Sequence, residues 1–163
     1  MARPIRNARP EEALSPSRTF FATTKTSMGQ RILQSERNAG MLIDVLRKHV
    51  AAGQFTLLDF VVMPDHVHLL ITVGAGMSIE KAMQLIKGGF SFRLSKEFGF
   101  KGEVWQKGFS EVRVNDETSL LQHKAYIEGN PMKAGLAAAV GEHPYCYTFL
   151  VDRKAAGAKA QAT

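Results

Sequence analysis

Two histidines separated by a single residue, His66 and His68, are the first candidates for chemistry in this chain. They open the second of two apolar runs within residues 55–73, and the turn-forming pair Pro64-Asp65 separates the runs. Since strand side chains alternate between faces, both imidazoles point the same way, roughly 6–7 Å apart. That geometry suits one divalent metal ion. A His-x-His pair also arises by chance, so packing without a metal is the alternative.

Tyr126 and Asn130 form a second candidate pair, four residues apart in a segment with a helical pattern. This spacing corresponds to about 40° around a helix and one turn along it, so the two side chains share a face. If that helix packs across the hairpin, nitrogen and oxygen ligands with open positions come together. Such a set suits Mg²⁺ or Mn²⁺ and leaves room for a phosphate oxygen.

The phenol of Tyr126 would act as a nucleophile toward a phosphate. Its ordinary pKa near 10 leaves about 0.1% ionised at pH 7, so full activation is worth roughly 4 kcal/mol. A metal and a nearby base could supply that activation, and the product would be a phosphotyrosine. His123, one turn earlier, is a candidate for assisting the phenolic proton or a phosphate. The alternatives are that Tyr126 packs its helix and that His123 is a surface residue.

A sheet and a helix must hold these side chains, and the apolar pattern predicts both. The expected elements are a strand at 18–26, a helix at 30–53, a hairpin at 55–73, a helix at 78–98, strand segments at 104–106 and 109–114, a helix at 117–129, a short helix at 133–140, and an edge strand or extended tail at 143–151. Gly88-Gly89 predicts a kink or a close backbone approach, and Pro131 is expected to end the third long helix. This order indicates an α+β fold with one antiparallel sheet in a ferredoxin-like arrangement.

The length of 163 residues predicts one domain, at 18–151, between a flexible basic arm at 1–17 and a disordered tail at 152–163. The single Cys146 excludes an internal disulfide and a multi-cysteine zinc site. No stretch is apolar and long enough to span a bilayer, and the N-terminus lacks a signal-peptide core. We therefore expect no membrane partner and a cytoplasmic location.

A formal net charge of +6 and a pI near 9.6 suit a polyanionic partner. Solvated surface charge is the alternative explanation. The candidate DNA contacts are Arg3, Arg6, Arg9, Lys87, Arg93, Lys107 and Lys133.

Two sequence blocks and a shorter third stretch resemble one protein family. Residues 63–70, MPDHVHLL, and residues 126–136, YIEGNPMKAGL, are similar to the two signature blocks of REP-associated tyrosine transposases. Residues 105–109, WQKGF, resemble the stretch that such proteins carry ahead of the tyrosine helix. The family belongs with the insertion-sequence transposases that use one tyrosine and a His-hydrophobic-His motif, the HUH single-strand endonucleases. The resemblance spans roughly residues 18–149.

The resemblance implies a prokaryotic, metal-dependent enzyme of HUH type that cuts and joins single-stranded DNA at hairpin or palindromic elements, as a monomer or homodimer. His66 and His68 match the paired metal ligands, and Asn130 matches the third. Tyr126 matches the nucleophile, which yields a 5′-phosphotyrosine and a free 3′-hydroxyl. The cofactor would be Mg²⁺ or Mn²⁺, with no nucleotide required.

Two other functions stay open. A DNA-hairpin-binding protein that does not cut would use the same basic charge, the Arg-rich arm and aromatic residues such as Trp105, Phe109 and Phe90. A small zinc hydrolase would use His66 and His68 with water as the nucleophile, but it leaves the second block unexplained. Tyr145 and Tyr147 are rival nucleophiles that lie outside both blocks.

Overall fold

The computed structural model describes residues 17–151. The predicted arm, apart from its last residue, and the predicted tail at 152–163 lie outside the described residues, as do the candidate DNA contacts Arg3, Arg6 and Arg9. No helix within residues 17–151 is long and apolar enough to cross a membrane.

Four strands and three long helices make up the described chain. In order they are β1 (Ser17–Lys25), two short 3₁₀ turns (Ser27–Gly29 and Ile32–Gln34), α1 (Glu36–Ala51), β2 (Thr56–Met63), β3 (His66–Gly74), α2 (Ile79–Phe98), β4 (Ser110–Val114) and α3 (Glu117–Lys133). Each long helix begins after a side-chain cap whose oxygen accepts a backbone N–H: Ser35, Ser78 and Asp116.

The strands form one sheet in the order β2-β3-β1-β4, and every neighbouring pair is antiparallel. This order, with α1 between β1 and β2 and α2 between β3 and β4, is the ferredoxin-like arrangement expected from the sequence. The prediction of fold class is therefore confirmed.

The two faces of the sheet have different coverings, which β3 shows most clearly. Val67, Leu69, Ile71 and Val73 join the main core, where α1 and α2 pack. On the other face Leu70 belongs to a smaller apolar cluster that includes Ile127 of α3. Because side chains alternate along a strand, His66 and His68 share the face of Leu70. The histidines are thereby directed toward α3.

The α2 helix runs without interruption through Gly88-Gly89, so of the two predicted alternatives, a kink or a close approach, the close approach fits. A β-carbon at position 89 would lie 3.1 Å from a methyl group of Val45 on α1. Glycine is used here because it allows the two helices to approach closely. The first long helix is also shorter than predicted, since residues 27–34 form 3₁₀ turns before the Ser35 cap.

The α3 helix continues past Asn130 and through Pro131 to Lys133, so the predicted end is wrong. Proline lacks an N–H and costs a helix about 3 kcal/mol, but Pro131 is buried and its packing offsets that cost. The helix stops where Gly135 adopts a φ of 75° and the N–H of Leu136 donates to the carbonyl of Pro131.

After α3 the chain follows neither of the two predictions for its last part. The predicted helix at 133–140 does not form, because residue 133 is the last of α3 and residues 134–140 form turns and bends. Cys146 makes an isolated bridge with Val61 of β2, and residues 147–151 are helical instead of extended. Trp105 likewise makes only an isolated bridge, with Thr26, so no strand forms at 104–106. Apolar patterns in such short segments do not distinguish strands, helices and turns.

Candidate active site

The turn before β3 fixes the position of the two histidines. The carbonyl of Asp65 accepts hydrogen bonds from the backbone N–H and the hydroxyl of Thr26, at 2.9 and 3.1 Å. The carbonyl of Pro64 accepts from the N–H of Leu33, at 3.0 Å. The hairpin is therefore tied to the segment that follows β1, and the start of β3 has little freedom to move.

Each histidine uses its Nδ1 atom to hold its ring. Nδ1 of His66 lies 2.7 Å from the carboxylate of Asp65, and Nδ1 of His68 lies 2.8 Å from the hydroxyl of Thr23 on β1. Both oxygens can accept from an N–H at Nδ1, which leaves the Nε2 lone pair of each ring available to a ligand. The ring centroids are 4.8 Å apart. Side-chain support of this kind is usual for histidines that bind metals.

The imidazole of His68 is held in its neutral form. Burial lowers its pKa from 6.5 to about 4, with further lowering from the neighbouring His66 and Lys25. Only 6% of His68 is exposed. Because a metal binds the neutral imidazole, no proton has to be displaced from His68 near neutral pH.

Tyr126 lies on α3 and packs against His68. Its ring centroid is 5.3 Å from that of His68 and 5.8 Å from that of Phe21, which itself stacks on His68 at 5.4 Å. Edge contacts with these two rings orient the phenol. Nevertheless 49% of Tyr126 is exposed, so the residue is in reach of a macromolecular substrate.

Asn130, one helical turn after Tyr126, has a buried side-chain oxygen without a hydrogen-bond partner in the described chain. Such an orphaned oxygen is costly unless something binds it. Within residues 17–151 no three His, Cys, Asp or Glu side chains cluster as a metal site, so a metal held by the two histidines would take its other ligands from different donors, and the amide oxygen of Asn130 is the candidate. Two imidazole nitrogens and one amide oxygen fit Mn²⁺ or Mg²⁺.

His123 also packs against Phe21, with ring centroids 4.7 Å apart. Its Nδ1 donates to the carbonyl of Ser119 in the preceding turn, at 2.8 Å. The second ring nitrogen, Nε2, is the atom available to accept or donate a proton. The proposed part of His123 in catalysis stays a prediction.

The basic residues predicted to contact DNA differ in their environments. Lys107 and Lys133 are exposed. Arg93 is paired with Glu97 on the same helix, at 2.7 Å. Lys87 donates to two backbone carbonyls of the 105–108 loop. The DNA contacts of all four stay predictions.

The two rival tyrosines lie elsewhere. Tyr145 packs edge-on against His143, and Tyr147 packs against Phe60 of β2. Both contact the main core, which agrees with a packing role.

Three β1 residues at the site, Phe21, Thr23 and Lys25, were missed by the sequence analysis. They are opposite Leu70, His68 and His66 in the register of β1 with β3. Alternation along β1 predicts that the three share a face, but only the strand pairing shows that this face carries the histidines.

Known proteins resemble this chain in both sequence and fold. The family model described as "Transposase IS200 like" matches residues 23–130. A Haemophilus influenzae protein assigned as a REP-associated tyrosine transposase is 28% identical over 141 residues, which is 76% of this chain and 80% of the relative. ISDra2 transposase TnpA of Deinococcus radiodurans is 30% identical over 93 residues, 53% of this chain and 66% of the relative. The solved structure of a REP-associated tyrosine transposase bound to a REP hairpin gives a TM-score of 0.66 at 24% identity, over 90% of this chain and 82% of that one.

Proposed function

We propose a function for this chain from the premise that it belongs to the IS200-like transposase family. The resemblance seen in residues 63–70 and 126–136 is thereby confirmed at the level of the family. The chain would be a DNA strand transferase whose nucleophile is Tyr126. The observation that carries the proposal is the position of this half-exposed phenol, 5.3 Å from the ring of a neutral, buried His68.

In the proposed reaction the phenolic oxygen of Tyr126 attacks a DNA phosphorus, and the bond from phosphorus to the 3′-oxygen breaks. The phenol loses its proton, the departing 3′-oxygen gains one, and the downstream strand stays attached through a 5′-phosphotyrosine. Attack by a 3′-hydroxyl reverses these changes and joins strands. Bond energy is conserved, so no nucleotide is consumed.

His66, His68 and Asn130 would hold the divalent cation, Mn²⁺ or Mg²⁺. When bound, that cation supplies Lewis-acid stabilisation of charge on phosphate oxygens. The chain itself supplies the geometry: Thr23 and Asp65 orient the imidazoles, and Phe21 orients the phenol. Preorganised groups of this kind need little rearrangement during reaction.

The proposed substrate is single-stranded DNA that folds into a hairpin, bound by a monomer or a homodimer. A REP hairpin is the ligand in the solved relative. The net charge of +6 favours a polyanion. Half-exposed Tyr126 is accessible to a strand beside such a hairpin.

The test is adduct formation on hairpin oligonucleotides taken from repeats that flank the gene, labelled at the 3′ end because the adduct retains the downstream strand. With Mn²⁺ or Mg²⁺, a denaturing gel should show a labelled protein band. Tyr126→Phe should abolish it, whereas Tyr145→Phe and Tyr147→Phe should retain it.

Each alternative function predicts a different gel. Tight hairpin binding with no adduct and no cut would favour a binding protein. Cutting that survives in Tyr126→Phe would favour a hydrolase that uses water.

A further inference from the structure

The last residue of β1, Lys25, is placed beside the two histidines by the strand register. Lys25 is opposite His66, and Thr23 is opposite His68. Directly opposite residues in an antiparallel pair have Cβ atoms about 4.5–5.5 Å apart and point to the same face. Lys25 therefore shares the face of both histidines, and its side chain is exposed.

The backbone of Lys25 is held on both sides. On one side it pairs with β3, and on the other its carbonyl accepts from the N–H of Gln106 at 2.9 Å. The next residue, Thr26, is bonded to Asp65 and bridged to Trp105. A long side chain on a fixed base can bring its ammonium to a substrate at little cost in backbone ordering.

The charged groups around the site favour the binding of an anion. Two imidazoles and one amide would bring no negative charge to a metal, and the neighbouring carboxylate of Asp65 is engaged by His66 at 2.7 Å. Within residues 17–151 the ammonium of Lys25 has no hydrogen-bond or ion-pair partner. A divalent cation would raise the positive charge further.

We propose that Lys25 is a phosphate-binding residue of this site, whose ammonium contacts a non-bridging oxygen of the phosphate attacked by Tyr126. The inference rests on the proposed function and adds a residue to it. The ammonium offsets the charge on that phosphate and donates a hydrogen bond that strengthens as negative charge develops. Neither sequence block contains Lys25.

The test compares Lys25→Ala and Lys25→Arg with Lys81→Ala, a control that removes an exposed lysine from α2 on the opposite face of the sheet. At saturating hairpin DNA, Lys25→Ala should slow adduct formation by about 10–100-fold. Lys25→Arg should restore most of the rate, because it returns a cationic donor. Lys81→Ala should stay within about twofold of the wild type.

Two further measurements separate phosphate binding from a structural role. Lys25→Ala should keep the thermal midpoint of the wild type and bind Mn²⁺ at least as tightly by calorimetry, because a nearby like charge is removed. Loss of either property would assign Lys25 to the fold and overturn the inference.

The outcomes for Lys25 and for Tyr126 are distinguishable. A wild-type adduct that depends on Tyr126 but forms equally fast in Lys25→Ala would overturn the Lys25 inference alone. Absence of any adduct in the wild type would overturn the proposed function, and the Lys25 inference with it.

Discussion

The two faces of the central sheet are made by the same strands but differ in composition. On the α1 and α2 face, β3 contributes Val67, Leu69 and Ile71, all buried in a continuous apolar core. On the α3 face, the same strand contributes His66 and His68. The apolar cluster on that second face is smaller.

The two faces therefore serve different purposes: one stabilises the fold and the other positions the residues of the candidate site. Burial of apolar surface on one face supplies most of the folding free energy. The other face can then accept groups that contribute little to stability, such as the amide oxygen of Asn130, which has no hydrogen-bond partner within residues 17–151, and the half-exposed phenol of Tyr126. Residues held by a rigid sheet are positioned better than residues on loops.

The largest expected effects compare one residue from each face of β3. His66→Ala should reduce adduct formation by roughly 10³-fold, because it would remove a proposed ligand of a cation worth several kcal/mol to the reaction. Its free energy of unfolding should change by less than about 1 kcal/mol. Leu69→Ala should lower the free energy of unfolding by about 2–5 kcal/mol, since Leu69 is fully buried.

Urea unfolding and single-turnover adduct formation measure the two quantities separately. Val112→Ala, at a half-exposed position of β4, serves as the control for Leu69→Ala. A collapse of stability in His66→Ala would show that the histidine is a core residue and would contradict the separation of the two faces.

A pH experiment sharpens the comparison within the α3 face. His68 has its pKa lowered from 6.5 to about 4, so the unfolded chain binds more protons and stability falls as pH drops through that window. The carboxyl of Asp59, next to Phe60 on β2, behaves in the opposite way. Burial raises its pKa from 3.8 to about 6, against a hydrogen bond from the N–H of Phe60, so stability rises as pH drops from 6 to 3.8.

The two contributions are of similar size, about 3 kcal/mol each, and should largely cancel in the wild type. Asp59→Asn removes the compensating group, so stability should then fall by about 3 kcal/mol between pH 6.5 and 4. Urea unfolding in the presence of a chelator measures this. The control Asp44→Asn, at an exposed position of α1, should keep the flat profile; an equally flat profile in Asp59→Asn would refute the compensation.

The smallest expected effect concerns Lys87, which lies on α2. Its ammonium donates to the carbonyls of Gln106 and Gly108, at 3.0 and 2.6 Å, and burial lowers its pKa. Lys87→Met should lower the free energy of unfolding by about 1–2 kcal/mol and speed amide exchange in the 105–108 loop. Lys81→Met is the matched control.

DNA binding distinguishes this role of Lys87 from the phosphate contact predicted from sequence. If Lys87 only holds the loop, the salt dependence of hairpin affinity should be unchanged in Lys87→Met. A decrease of about 0.7 in the slope would indicate one lost contact with a single-stranded phosphate.

Much of the fold and the direction of the two histidines could be predicted, because both follow from strong local sequence patterns. Alternation and the turn at Pro64 predicted the hairpin and the shared direction of His66 and His68, and both are observed. The helix starts predicted at residues 78 and 117 agree with the observed caps Ser78 and Asp116. These features depend only on near neighbours in sequence.

Other features depended on distant partners. The predicted end of α3 was wrong because burial of Pro131 outweighs the tendency of proline to end a helix. Gly89 was ambiguous until Val45 was known to lie against it. Lys25 was missed because its place beside His66 follows from strand register alone.

The most direct test of the account is to find which residue carries the DNA. Wild-type protein would be trapped on a 3′-labelled hairpin oligonucleotide with Mn²⁺, digested with nuclease and protease, and analysed by peptide mass spectrometry. The account predicts that a 5′-nucleotide is attached to the peptide that contains Tyr126. Attachment at Tyr145 or Tyr147 would contradict it, and so would cut DNA with no attached peptide.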